Sequence, residues 1–449
     1  MERQRRHTTT TWLSRSAPLV LASFLALAPA DAAAQTSLQI PLQFDFLNPG
    51  AKSLAVGGAF AGLADDATAT FANPAGLVQL GASEVSFELR GTWVTTPFLQ
   101  AGRLSGTVTN QGDDTIAGPV FADSSGSHVG PGFIAGVYMH PSHRWVIAGF
   151  RHELARVDQT FLTNGVFQQI VGGPSLRDIP QEADRQVSIT GYGVAGSYRI
   201  SPLVAVGAGL AAYSFDMNSV FRRFATDGFF GPPLLNKELG RASQTGDNVG
   251  WAPTFGVMIG GDQRRLGVVF RQGAAFDMTT NSVRPDGTPR TDEGQFRVPH
   301  TLAVGGSFRP KPLLTLAVEV TQIWYSRLRE DFVTAQAVNT GYADSFTIDN
   351  GTEIHGGVQY TVPRWWGVPR FRGGAWFDPD HSVKFSPSAT TAVRDPLFEE
   401  RLSTALSKGQ NQVHGTGGIG LTFGRHFELN AAIDIASTTR IFSTSLIVR

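Results

Sequence analysis

The stretch Thr315-Leu316-Ala317-Val318-Glu319-Val320-Thr321 changes character at every residue. Leu316, Val318 and Val320 share one face; Thr315, Ala317, Glu319 and Thr321 share the other. Residues 428–435 repeat the pattern, with Leu429, Ala431, Ile433 and Ile435 against Glu428, Asn430, Ala432 and Asp434. A period of two predicts strands in a sheet with one apolar and one polar face. Such segments recur from Ser83 onward. They start near Glu84, Gly132, Arg144, Gln186, Leu203, Val249, Arg264, Arg297, Leu313, Thr352, Pro369, Val413, His426 and Arg440. That makes about 14 strands, an even number as in single-chain bacterial barrels.

The connections alternate as well. Pro141-Ser142-His143, Ile200-Ser201-Pro202, Gly261-Asp262-Gln263, Arg309-Pro310-Lys311-Pro312 and Gly424-Arg425 are short, and 362–368 is slightly longer. Long polar stretches lie between them, at 95–129, 158–185, 218–248, 277–296, 329–351 and 379–412. The last connection, 436–439, is short where a long one is due. A transmembrane barrel sorts its loops this way because its two rims face different compartments. Trp93, Trp145, Trp251, Trp324, Trp365, Trp366 and Trp376 are expected at strand ends or in a turn, where aromatic girdles meet the membrane–water boundary. Closure is required, because in hydrocarbon an open edge leaves N–H and C=O groups unpaired. The expected fold class is all-β, a transmembrane antiparallel β-barrel. Its lumen would be too wide for the wall's own side chains to fill.

Three units are expected. Residues 1–34 read as a cleaved signal peptide: Arg3, Arg5, Arg6 and Arg15, an apolar run from Ala17 to Ala30, then Ala32-Ala33-Ala34. Residues 35–82 neither alternate nor carry a clean helical stripe, and are expected to form a plug inside the lumen of the barrel, 83–449. Gly and Ala let backbone pack closely there. Asp65 and Asp66 are expected to pair with basic residues on the inner wall, and Pro74 to fix a bend and bias Asn73 away from helical geometry.

Composition removes other classes. Lys+Arg and Asp+Glu both total 37, which argues against a nucleic-acid partner. The absence of Cys excludes disulfides, thiolate catalysis and Cys-ligated metals. Gly191-Tyr192-Gly193-Val194-Ala195-Gly196 matches a dinucleotide fingerprint in letters only, since strand follows it rather than a helix. His140 and His143 lack further metal ligands, no G-x-S-x-G elbow occurs, and no nucleophile accompanies His300 or His355. No enzyme activity, cofactor or metal is expected.

One family resemblance covers the whole mature chain. The run from Gly57 to Gly62, then Ala64-Asp65-Asp66-Ala67, then Asn73-Pro74-Ala75-Gly76-Leu77 resembles the hatch of FadL/TodX-type outer-membrane transporters for long-chain fatty acids and aromatic hydrocarbons. Residues 298–306 with 314–320 and Trp324-Tyr325-Ser326 resemble that family's central strand pair. Residues 371–378 and 414–423 resemble its later strands. One departure is the C-terminus, Ser445-Leu446-Ile447-Val448-Arg449, where barrels of this kind usually end in an aromatic residue read by the assembly machinery. Phe442 is the nearest substitute.

The resemblance implies 14 strands around an N-terminal hatch, as a monomer in the bacterial outer membrane, and no enzymatic role. It implies passive transport of a fatty acid or an aliphatic or aromatic hydrocarbon. Capture would occur in an apolar groove, where each buried methylene contributes ~0.8 kcal/mol. Release would be gated by the hatch, with Asn73, Pro74 and Ala75 as its hinge or latch and Asp65 and Asp66 beside them. Expected groove residues are Phe221, Phe224, Phe229, Phe230, Leu234 and Leu235, with Phe121 and 161–167 as others. Arg222 and Arg223 are expected partners for a ligand carboxylate, or for lipopolysaccharide phosphate. Expected partners are the hydrophobic ligand, outer-membrane lipid and lipopolysaccharide, and the barrel-assembly machinery. The competing expectation is an accessory barrel that tethers secreted proteins or helps secrete them.

Overall fold

A computed structural model describes residue 46 and residues 48–169, 173–283, 288–329, 342–363, 367–388 and 394–449. The expected signal peptide, Trp365 and Trp366 lie outside the described residues. Fourteen strand positions close into a ring. We number them β1 (Glu84–Gly102), β2 (Pro119–Met139), β3 (Trp145–Thr163), β4 (Gln181–Ser201), β5 (Val204–Thr226) and β6 (Pro233–Gly260). Two broken strands follow: β7 (Arg264–Arg271 and Ala275–Val283) and β8 (Pro289–Arg297 and Thr301–Lys311). The rest are β9 (Leu314–Ile323), β10 (Gly351–Thr361), β11 (Val368–Asp378), β12 (Gln412–Phe423), β13 (Phe427–Ile435) and β14 (Thr439–Val448). Neighbours are antiparallel, and β1 pairs with β14 to close the ring.

The alternation decides which face meets lipid. In β9, Val318 is 65% exposed and Glu319 is 2% exposed. Across the wall, Val85, Phe87, Ile134, Ile147, Val257, Val304, Ile354 and Leu429 are likewise exposed, while neighbours such as Glu84, Ser86, Glu88, Glu353 and Glu428 turn inward. An apolar belt of this extent is stable against hydrocarbon, not water. Trp93 and Trp251 point outward from within β1 and β6. Trp376 corrects the girdle expectation. It lies on the inward parity of β11, stacked between His414 and His355 with ring centroids 3.7 and 5.3 Å away, and its Nε1 donates to Asp434 at 2.9 Å.

Two of the long connections are also largely strand. β6 runs for 28 residues, whereas ~9–11 suffice to cross a bilayer. Residues 218–248 are therefore β5 and β6 rising beyond the membrane to a turn at 227–232. Likewise 277–296 is mostly a hairpin of the second piece of β7 and the first of β8. Above the lipid, outward side chains face water, so the apolar alternation that marks a strand disappears there.

Candidate functional site

The segment from Asn48 to Leu80 packs against inward-facing residues of the wall. It holds α1 (Ala51–Ala55), α2 (Ala69–Ala72) and a 3-10 turn, Pro74–Gln79. Phe60, Leu63, Phe71 and Leu77 are buried in it. Its irregular backbone leaves N–H and C=O groups that the helices do not use, and the wall supplies their partners. Glu319 accepts from Phe60 and Ala61 N–H at 2.8 and 2.6 Å. Glu84 accepts from Ala67 N–H at 2.5 Å, and Glu88 from Gly50 N–H at 2.9 Å. Arg271 donates to the Phe71 and Ala72 carbonyls at 3.2 Å each. His355 Nδ1 lies 2.8 Å from the Gly57 carbonyl.

Asn73 caps the 3-10 turn. Its Oδ1 accepts from Ala75 N–H at 3.1 Å, while Nδ2 donates to Ala61 O at 3.0 Å and to Val257 O of β6 at 3.2 Å. Pro74 opens the turn, where a missing N–H costs nothing. Inward wall glycines let this backbone touch the barrel: a Cβ on Gly207 would lie 2.3 Å from Ala75 N, and one on Gly267 2.0 Å from Ala61 O.

Asp65 and Asp66 take a different partner from the one expected. Their cation is Lys52, within the same segment, at 2.5 and 3.8 Å. Burial opposes the Asp65 charge, but Lys52 outweighs it and holds that carboxyl below its ordinary value. Burial, with Asp65 adding to it, raises Asp66 against the pull of Lys52. The wall meets the segment's N–H groups with acids and its carbonyls with donors: Arg90 to Asn48 O at 3.0 Å, Ser307 to Gly62 O at 2.9 Å and Thr416 to Ala55 O at 3.2 Å, beside Arg271.

Among the described residues, β2 and β3 part along the wall. β2 and β3 are laddered only where Phe133–Met139 face Val146–His152. Above that point β1–β2 slips register at Gly132, and β3–β4 slips at Leu154. The two strands meet again through side chains, where Ser124 Oγ donates to Thr160 O at 2.7 Å and Gln159 Nε2 to Ser124 O at 3.3 Å. Between these contacts the parting is spanned by Arg151, which donates to Pro131 O, and by His128 and Glu153 at 3.5 Å. A cavity of about 1330 Å³, counting its solvent-open part, ends here. Val94, Leu154, Ala155, Val157 and Ile441 give it an apolar side; Arg90, His128, Glu153, Gln159 and Lys408 give it a polar one.

The expected groove residues do not form one surface. Phe221 and Phe224 are buried, Phe221 against Phe98, Phe161 and Ala183. Phe229 and Phe230 sit at the projecting turn, 5.8 and 5.6 Å from Phe167 and 4.8 Å from each other. Leu234 is half-buried and Leu235 exposed. Arg222 is tied to Glu182 at 2.8 Å, and half-buried Arg223 lies in the field of Asp178 and Arg401. Phe121 lies beneath Lys408, 4.5 Å from its ring centre. The sequence reading missed Glu84, Glu88 and Glu319 as anchors. Their signal was a carboxylate on the polar parity of an alternating strand.

No protein-family model matches the chain, and neither does any curated protein. Solved structures do. A FadL homologue of Pseudomonas aeruginosa is 12% identical, with 91% of this chain and 99% of the other covered at a TM-score of 0.57. The toluene transporter TodX of P. putida is 15% identical, with 90% and 99% covered and a TM-score of 0.55. The toluene transporter TbuX of Ralstonia pickettii is 14% identical, with 90% and 99% covered and a TM-score of 0.54. The fold is that of the FadL/TodX-type channels.

Proposed function

We propose that this barrel carries small hydrophobic molecules across the bacterial outer membrane, taking them in at the projecting rim and passing them sideways between β2 and β3. The observation that carries the reading is the pairing of a segment pinned to the inner wall with a cavity that ends at unladdered strands. A straight aqueous path would require breaking the Glu84, Glu88, Glu319 and Asn73 contacts together. The side path requires only that side chains spanning the parting move. The like-folded toluene transporters support an apolar cargo. The cavity's polar side also suits a molecule with one hydrogen-bonding end, so fatty acid and monoaromatic both remain within the reading. Hatch gating then means that the segment shifts locally, with cargo favouring the looser population. The protein acts as a monomer, assembled by the barrel machinery, with its long rim among lipopolysaccharide.

The test is uptake of toluene and of oleate in cells lacking their own transporters. Ala155→Trp, which fills the cavity beside the parting, is expected to abolish uptake while the folded barrel persists on gels. Uptake at the parent rate in that variant would overturn the side path.

A further inference from the structure

The short-turn rim carries an excess of cations that the bore does not use. Arg144, Arg264, Lys311 and Arg425 are exposed, one in or beside each of four short connections. Among the described residues none of the four has an acidic partner. The exposed acid of this rim, Asp262, is already held by Arg265 at 3.3 Å. The inward cations nearby are engaged instead: Arg199 with Val78 O, and Arg449 with Glu84 and Glu428 at 2.9 and 3.0 Å.

Two of these cations lie over aromatic rings of the wall. The Arg264 guanidinium sits 5.2 Å from the centre of the Phe308 ring, its direct cross-strand neighbour. Arg144 sits 5.9 Å from Tyr198. A guanidinium held against an aromatic ring keeps N–H donors that can pair with phosphate. Arg425 is flanked by exposed Phe423 and Phe427.

We infer that this rim binds the phosphate headgroups of anionic glycerophospholipids in the leaflet it meets. The inference rests on the barrel spanning a membrane, not on what it transports. Lipid is favoured over a soluble anion because the cations border the apolar belt and face outward, so acyl chains and headgroup are satisfied together.

The experiment uses the full chain in mixed micelles of phosphatidylcholine and phosphatidylglycerol, with retained lipid read by native mass spectrometry. Phosphatidylglycerol is expected to be enriched. The variant Arg144→Gln/Arg264→Gln/Lys311→Gln/Arg425→Gln is expected to lose that enrichment by about tenfold or more, taking each cation near an anionic surface as worth about fivefold before screening. Arg440→Gln, on the outward face near the opposite rim, is expected to leave it intact. Pairwise variants provide the same readout should the quadruple fail to fold. Equal retention of both lipids by the parent, unchanged enrichment in the variants, or full displacement by inorganic phosphate would overturn the inference. Failure of the parent to insert into phosphatidylcholine vesicles would instead overturn the membrane-spanning reading.

Discussion

Glu319 and Ala61 stand 258 positions apart in the chain, yet one carboxylate oxygen of the wall accepts the backbone N–H of the bore segment at 2.6 Å. The same oxygen accepts from Phe60, and the other from Thr321 Oγ1 at 3.1 Å. A hydrogen bond to a charged group contributes about 1.5–3 kcal/mol. Glu319→Ala is therefore expected to loosen the segment around Phe60 while the wall stays closed. Protease cleavage near Ala61 and raised conductance in planar bilayers check it. Glu319→Gln, which keeps an oxygen in place, is expected to show a smaller change in both.

Asn73 and Pro74 separate a latch from a bend. Asn73→Asp keeps the acceptor for Ala75 N–H but sets an oxygen against the Ala61 and Val257 carbonyls at a fully buried position. It is expected to disturb the segment more than Asn73→Ala. Pro74→Ala is expected to cost at most ~1 kcal/mol, through the freedom gained by the unfolded chain. Equal effects of Asn73→Asp and Pro74→Ala on segment protection, read by hydrogen exchange, would remove Asn73 as the latch.

Lys52 compensates two carboxylates. Removing the cation from such a buried group costs about 3–5 kcal/mol, so Lys52→Met is expected to release the segment near neutral pH. Because the parent Asp65 is lowered, its contribution is present above the ordinary carboxylate value and fades as pH falls through the lower folded value. Asp66 is raised, so its ionisation weakens the fold as pH climbs through the raised value. Asp66→Asn is accordingly expected to tighten the segment near pH 7. Acid is expected to rescue Lys52→Met, because protonation removes the uncompensated charges. Protease protection measured across pH 4–8 follows all three, and a defect in Lys52→Met that deepened in acid would contradict the assignment.

Glycine parity gives a matched pair of tests. Gly207→Val drives side-chain atoms into Ala75 N and the Pro74 carbonyl, at an overpacking cost of about 1–3 kcal/mol. Gly149→Val points outward, where nothing lies within 4 Å. The first is expected to raise conductance without unfolding the barrel, the second to change neither conductance nor heat resistance on gels.

Much of the wall was legible because hydrocarbon outside and polar groups inside impose a strict period of two, as in β9 and β13. The pattern alone did not say which face was which; Val318 and Glu319 settle that once the ring closes. It failed beyond the bilayer, where Asp216 of β5 and Asp247 of β6 point outward into water and strand looks like polar loop. The pairing of Asp65 with Lys52 was hidden because they stand 13 positions apart across a largely irregular stretch, and no periodicity relates the two. The parting of β2 from β3 had no sequence signal either. It arises from register slips at Gly132 and Leu154, and slips depend on neighbours rather than on residue type.

If cargo leaves sideways as proposed, the packed interior and the unladdered side have a joint consequence for the cell. A conventional pore trades throughput against leakage, since every copy admits ions and hydrophilic antibiotics along with nutrients. A doorway opening into lipid escapes that trade. Expression could rise with the supply of greasy carbon sources while the envelope kept its resistance to polar toxins.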